Sequence, residues 1–321
     1  MDIAALSAKH IQEAINYETV LFGSRKSESH MEPIFERIGE IIPLTDPLTL
    51  HPNTYAEYVG IPAQELLETH SHVKARFLRL DDSDIVLKRG DGLYPQPVAR
   101  ISGSPRFLYL RGDYGLLDTK CVCVIGTRNP SSEGKAYAKE TVQELAEHAV
   151  TVVSGLALGI DGIAHITSLA TGTSTIAVLG TALTEVYPSE HRKLQKMIGE
   201  RGLLITRFSP ATQTQKWHFL LRNQLMSSLS IGSIVVEDRD GGGAVKQAQY
   251  ALDQQRKVVV FQHVLDNRSL LWPRRLSLKP GVLVVKHPGT IHARLFTPAS
   301  QAQPQDIGEA RPAQLSLFDL S

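Results

Sequence analysis

Six short runs of apolar, largely β-branched residues recur between Ile85 and Phe261, at positions 121–125, 150–153, 175–179, 203–205, 234–236 and 258–261. Each is nearly all apolar and bounded by Gly or polar residues, the pattern of strands buried on both faces of a parallel sheet. Between them lie stretches of helical periodicity at 134–148, 160–171, 189–200, 217–230 and 244–255. Strand then helix, repeated, predicts an α/β domain with a doubly wound, mostly parallel sheet.

The flanks differ in texture. Residues 1–82 read as short helices interrupted by Pro33, Pro43, Pro47, Pro52 and Pro62, with helical spacing at 32–42 and 54–70. They are expected to form a small helical accessory domain, ahead of a core domain spanning 83–296. Residues 264–296 leave room for only a short strand-and-loop extension. Residues 297–313 are rich in Pro, Gln and Ala and hold too little apolar surface to offset chain entropy, so residues 297–321 are expected to be a disordered tail.

Composition excludes several classes. No apolar run approaches 18 residues, and Asp2, Glu13 and Glu18 break the start of the chain. Neither a membrane-spanning helix nor a secretory signal is expected. The two cysteines, Cys121 and Cys123, cannot build a disulfide framework and share one face of a predicted buried strand. A cytoplasmic protein is expected, with no metal site. The net charge of +1 excludes a globally basic nucleic-acid binder but not a local basic face.

The chemistry gathers in the loops after the strands. Gly126, Thr127 and Arg128 follow the run at 121–125, with Ser131 or Ser132 placed to cap the next helix. A helix N-terminus beside a guanidinium suits phosphate; the plainer reading is a strand–helix turn with a surface Arg. No full dinucleotide fingerprint is present, so no cofactor is expected. A second Gly-bearing turn holds Ser154, Gly155 and Gly159, ahead of Asp161, which falls where a helix cap belongs. Both turns are expected at the carboxyl ends of neighbouring strands, where open α/β sheets bind ligands. A third, Asp240-Gly241-Gly242-Gly243, again allows close backbone approach.

Between His191 and Arg222 seven Lys and Arg residues face a single acid, Glu200. Lys216, Trp217, His218 and Phe219 interleave a cation with aromatics, then Arg222 and Asn223 follow. Cations beside stacking rings suit single-stranded nucleic acid; a solvated helix face over a core aromatic is the alternative.

Taken in order, these motifs resemble the bacterial DNA-processing protein A family (DprA/Smf). The resemblance runs from about Tyr94 to Phe261. It rests on Tyr94-Pro95, Leu108-Tyr109-Leu110-Arg111-Gly112, Gly126-Thr127-Arg128, Ser154-Gly155-Leu156-Ala157-Leu158-Gly159-Ile160-Asp161, Val186-Tyr187-Pro188 and Phe219-Leu220-Leu221-Arg222-Asn223. It implies an extended Rossmann core that binds single-stranded DNA, dimerises and helps load the recombinase RecA, without known catalysis. Carried over by position, Arg128 and Lys216 would hold phosphate and Phe219 would stack on a base. The Ser154-Gly155 turn, Arg222 and Asn223 would line the strand's path. Leu158 and Gln224 stand where the family commonly has Arg, and the triple-Gly turn departs from the usual Ser-Gly-Ser/Thr.

Two rivals stand beside this reading, the first suggested by the lost cations and the second by the wider superfamily that the resemblance implies. One is a nucleotide-sensing or antitoxin-like regulator in a phage-defence system. The other is a nucleotide N-glycosidase of the phosphoribohydrolase type, whose loop carries a catalytic Glu. Here no carboxylate occurs from Ala244 to Leu252, which argues against turnover. At the far end Gln314, Leu315, Ser316, Leu317 and Phe318 resemble the peptide that docks on the bacterial DNA sliding clamp. Clamp binding through Gln314, Leu315, Leu317 and Phe318 is expected.

Overall fold

The computed structural model describes residues 3–296. The strands are β1 (Ile85–Lys88), β2 (Phe107–Gly112), β3 (Cys121–Ile125), β4 (Thr151–Ser154), β5 (Thr175–Val178), β6 (Leu203–Thr206), β7 (Gly232–Val235), β8 (Lys257–Phe261) and β9 (Val282–Val285). The helices of the first third are α1 (Ile3–Ser24), α2 (Glu28–Gly39), α3 (Pro52–Val59), α4 (Ala63–Phe77) and α5 (Gln96–Ala99). Then follow α6 (Ser132–Glu147), α7 (Ile160–Thr171), α8 (Arg192–Arg201), α9 (His218–Leu229), α10 (Gly243–Asp253), α11 (Gln262–Asp266), α12 (Trp272–Ser277) and α13 (Ile291–Phe296).

Among the described residues the strands form one sheet in the order β1-β2-β6-β5-β4-β3-β7-β8-β9. From β6 to β9 every pairing is parallel; β1 with β2 and β2 with β6 are antiparallel. The direction of winding reverses at β3, whose neighbours are β4 and β7. That places the loops after β3, β4 and β5 along one edge, at the carboxyl ends of the strands. Among the described residues no helix is long and apolar enough to cross a membrane.

Strand alternation sorts the core into two faces. In β2, Leu108 and Leu110 join one buried cluster and Phe107 and Tyr109 the other. The same split divides Ile176 and Val178 from Ala177 in β5, as the two-residue period of a strand requires. The first cluster packs β3, β4, β7 and β8 against α6 and α10. In the second, Ala14, Phe35, Tyr55 and Leu66 of the N-terminal helices close over Val86, Phe107, Tyr109 and Leu204 of the sheet. An ion network reinforces this contact: Glu13 pairs with Lys88 (2.7 Å) and Arg106 (2.8 Å), and Glu32 with Arg89 (2.6 Å) and Arg106 (2.8 Å). Arg106 is buried, so the carboxylates of Glu13 and Glu32, with Glu36 at 3.7 Å, offset the cost of desolvating it.

Several local expectations need correction. Pro33 lies inside α2 rather than breaking it. The spacing at 54–70 spans two helices, because Gly60 ends α3 in the left-handed region and Pro62 precedes α4. Residues 264–296 hold more than a strand and loop: β9 adds parallel to β8, α12 packs on it, and α11 and α13 fall in the same stretch. The tail at 297–321, with the clamp-like peptide, lies outside the described residues.

Candidate nucleic-acid interface

Arg128 is exposed at the end of the loop after β3 and lines two concavities. One is a cleft of about 430 Å³ with Asn129, Lys135, Gly159 and His191 on its walls. The other is a small pocket of about 50 Å³ lined by Gly155, Leu158, Gly180, Tyr187, Phe219 and Arg222. The structure therefore gathers Arg128, Gly155, Gly159, Phe219 and Arg222 at one edge. It was the chain order of the motifs, not their spacing, that pointed there.

The two Gly-bearing turns touch backbone to backbone. Gly159 has φ +78°, and a Cβ there would stand 2.3 Å from the carbonyl oxygen of Thr127, so only glycine fits. The amide of Ile160 donates to that same carbonyl (3.2 Å). Leu156 sits in the left-handed region at φ +58° despite its side chain, a strained conformation. Its carbonyl accepts from His191 Nδ1 (2.9 Å). Ser154 is buried and donates to the carbonyl of Val124 (2.7 Å), tying β4 to β3 below the rim.

Asp161 does not cap α7; Gly159 holds that position. The Asp161 carboxylate reaches back to the amides of Gly155 (3.2 Å) and Ala157 (3.4 Å) and so holds the turn in shape. Burial pushes its carboxyl up, against the pull of the Arg222 guanidinium and those two amides. Burial likewise pushes Arg222 down, against the Asp161 charge. Both shift toward neutrality, so desolvation outweighs their mutual attraction.

The basic segment is less basic at the surface than its sequence suggests. Arg207 is buried and pairs with Glu28 (2.9 Å), and Lys196 lies 3.8 Å from Glu200. Arg222 is buried and donates to the carbonyls of Gly155 and Val178 and to Asn223 Oδ1. Arg222 and Asn223 thus brace the pocket floor. Lys216 is exposed just ahead of α9. Phe219 is half-buried, 5.2 Å from the Tyr187 ring, and covers Gly180.

Two expected anion sites are already occupied. At the start of α6 the amide of Ser131 donates to Glu237 (2.9 Å), and Ser131 Oγ accepts from Gly134 (2.9 Å). At the start of α10 the Asp238 carboxylate accepts from the amides of Ala244 (2.9 Å) and Val245 (3.1 Å). Gly242 packs so tightly on that carboxylate that a Cβ would stand 2.1 Å from it. Gly242 and Gly243 line neither concavity beside Arg128. The α10 amides next to these glycines are thus taken by the chain's own acid. Sequence reasoning missed Asp238, though an Asp ahead of a Gly-rich turn and a helix is a capping signal. It also missed Lys135 and His191, which carry no motif and meet Arg128 only in three dimensions.

These features define a doubly wound α/β protein with an edge of two packed turns, an exposed guanidinium and an aromatic helix start. The family model of DNA recombination-mediator protein A matches residues 85–273, from β1 into α12, and the chain belongs to that DprA/Smf family. It is 36% identical to the DNA processing protein DprA of Bacillus subtilis over 166 residues, covering 51% of this chain and 56% of that protein. It is 34% identical to DprA of Streptococcus pneumoniae over 200 residues, covering 62% and 69%. The chain thus spans about half to two thirds of these curated relatives. Among solved structures, S. pneumoniae DprA superposes with a TM-score of 0.68 at 27% identity, covering 87% of this chain and 97% of that one. A Helicobacter pylori DprA, described for its single-stranded DNA binding mode, gives 0.59 at 27% identity, covering 66% and 95%.

Proposed function

We propose that the chain binds single-stranded DNA along the rim formed by Arg128, the Ser154–Gly159 turn, Lys216 and Phe219, and acts in DNA processing and recombination. The observation that carries this reading is Arg128, exposed between a cleft and an aromatic-walled pocket over turns where glycine keeps the backbone open to approach. A guanidinium and an ammonium hold phosphates without reading sequence, and Phe219 offers a ring to any base. The H. pylori relative's description supports the ligand class.

The protein acts by binding rather than by turnover. The carboxylates nearest the Gly-rich turn are engaged by backbone amides: Glu237 accepts from Ser131, Asp238 from Ala244 and Val245, and Asp240 from Leu271 and Trp272. That commitment to the fold argues against a role in glycosidic cleavage. RecA as a partner and a homodimeric state belong to this reading on the family resemblance. Docking of Gln314, Leu315, Leu317 and Phe318 on a sliding clamp belongs to it on the peptide resemblance.

Photocrosslinking tests the interface. An oligothymidylate carrying 5-bromodeoxyuridine should crosslink to Phe219 or to its neighbours in the Ser154–Gly159 turn, identified by mass spectrometry of the digest. Crosslinks confined to α6, α8 and the N-terminal helices would overturn the assignment.

A further inference from the structure

A cavity of about 890 Å³ lies between the N-terminal helices and the start of α9, about twice the volume of the cleft beside Arg128. Its size falls in the range of ligand sites, and its walls are mainly apolar: Leu21, Phe22, Ile101, Phe208, Trp217 and Leu221. Phe22 is 48% and Trp217 55% exposed. Two large aromatic faces left uncovered in one concavity suit a planar ring.

The charges lining it are unequal. Three acids, Glu18, Glu28 and Glu32, meet Lys26, Arg89, Arg106 and Arg207. Glu28 is paired by Arg207, and Glu32 by Arg89 and Arg106. Burial pushes the Glu18 carboxyl up to about 8. Lys26 is exposed and has no ion-pair partner among the described residues. The lining therefore offers an uncompensated cation beside stacking surfaces.

We propose that this cavity takes one nucleotide unit, its base against Trp217 and Phe22 and its phosphate toward Lys26. The unit comes either from a free mononucleotide or from a single strand that continues past Lys216. The proposal stands on residues other than those of the rim. The two sites meet at the start of α9: Trp217, just ahead of the helix, and Leu221 line the cavity, and Phe219 and Arg222 line the pocket beside Arg128.

Tryptophan fluorescence tests it on the full chain. The sequence has two tryptophans. Trp272 is buried, with its Nε1–H donated to the Asp238 carbonyl (2.9 Å), so a ligand-induced change in emission reports on Trp217. One arm titrates deoxyadenosine monophosphate to millimolar concentration; the other uses oligothymidylates of increasing length. Saturable quenching by the mononucleotide assigns a free nucleotide. Quenching only above a minimum oligonucleotide length assigns the strand. In either case Lys26→Glu and Phe22→Ala, both exposed positions, should each weaken the response by about tenfold or more with an unchanged melting temperature. No emission change in either arm, or quenching indifferent to both substitutions, overturns the proposal. Failure of the rim assignment is scored separately, by crosslinks at Phe219.

Discussion

Arg222 and Gly155, 67 residues apart, are locked together: Nη1 of the guanidinium donates to the Gly155 carbonyl, and a Cβ on Gly155 would collide with that guanidinium. The same nitrogen reaches the Val178 carbonyl at 3.3 Å. One buried side chain thus ties α9 to the ends of β4 and β5. Arg222→Met should cost about 2–4 kcal/mol in urea unfolding, because two buried carbonyls lose their donor. Gly155→Ala should also destabilise, but the double variant should cost less than the sum, since the shorter-range clash disappears with the guanidinium. Strict additivity would contradict the coupling.

His165 sets an acid limit on stability. It is fully buried, with Nδ1 2.8 Å from Thr175 Oγ1. Burial first, then the charges of His191 and Arg222, lower its pKa from 6.5 to about 3. The unfolded chain therefore binds a proton between these values that the folded chain refuses. Its contribution is whole above pH 6.5 and is lost as pH falls toward 3. His165→Gln should flatten the fall of the melting temperature between pH 6.5 and 4. A slope equal to that of the unaltered protein would refute the assignment.

Asp238 accepts from the amides of Ala244 and Val245 at the start of α10. Asp238→Ala should lower stability by about 1–2 kcal/mol in thermal or urea unfolding, the usual cost of a lost helix cap. Affinity for single-stranded DNA should stay the same. A large loss of affinity with no loss of stability would restore the Gly242–Gly243 turn as a phosphate site.

A synthetic peptide of residues 314–321 should bind purified bacterial sliding clamp in isothermal titration. Leu317→Ala with Phe318→Ala should abolish it, since an apolar anchor pair supplies most of such a contact. Deleting residues 313–321 from the full chain without changing its affinity for the clamp would end this idea.

The core was legible because its strands are buried on both faces. The run at 121–125 is β3 to the residue, and 160–171 matches α7 at both ends. β1 and β2 were not read as strands, for a physical reason. They lie at or near the sheet edges, and Lys88, Arg111 and Gly112 interrupt the apolar pattern. The rim was half legible. Arg128, Gly159 and Phe219 announced themselves by residue type and order. The roles of Asp161, Glu237 and Asp238 depended on which amides lay within reach, which spacing does not encode. The basic count at 191–222 misled in part, because Arg207 and Arg222 are consumed by Glu28 and by backbone carbonyls.

In the function proposed above, Arg128 holds the phosphate backbone of a single strand. Fluorescence anisotropy of a labelled oligothymidylate, titrated with the full chain over a series of salt concentrations, tests it most directly. Log affinity should fall linearly with log salt. Arg128→Ala should weaken binding to all sequences alike and reduce the salt slope by about 0.7, the value for one phosphate contact on a single strand. Binding that ignores salt, or an Arg128→Ala protein with unchanged affinity and slope, would contradict it.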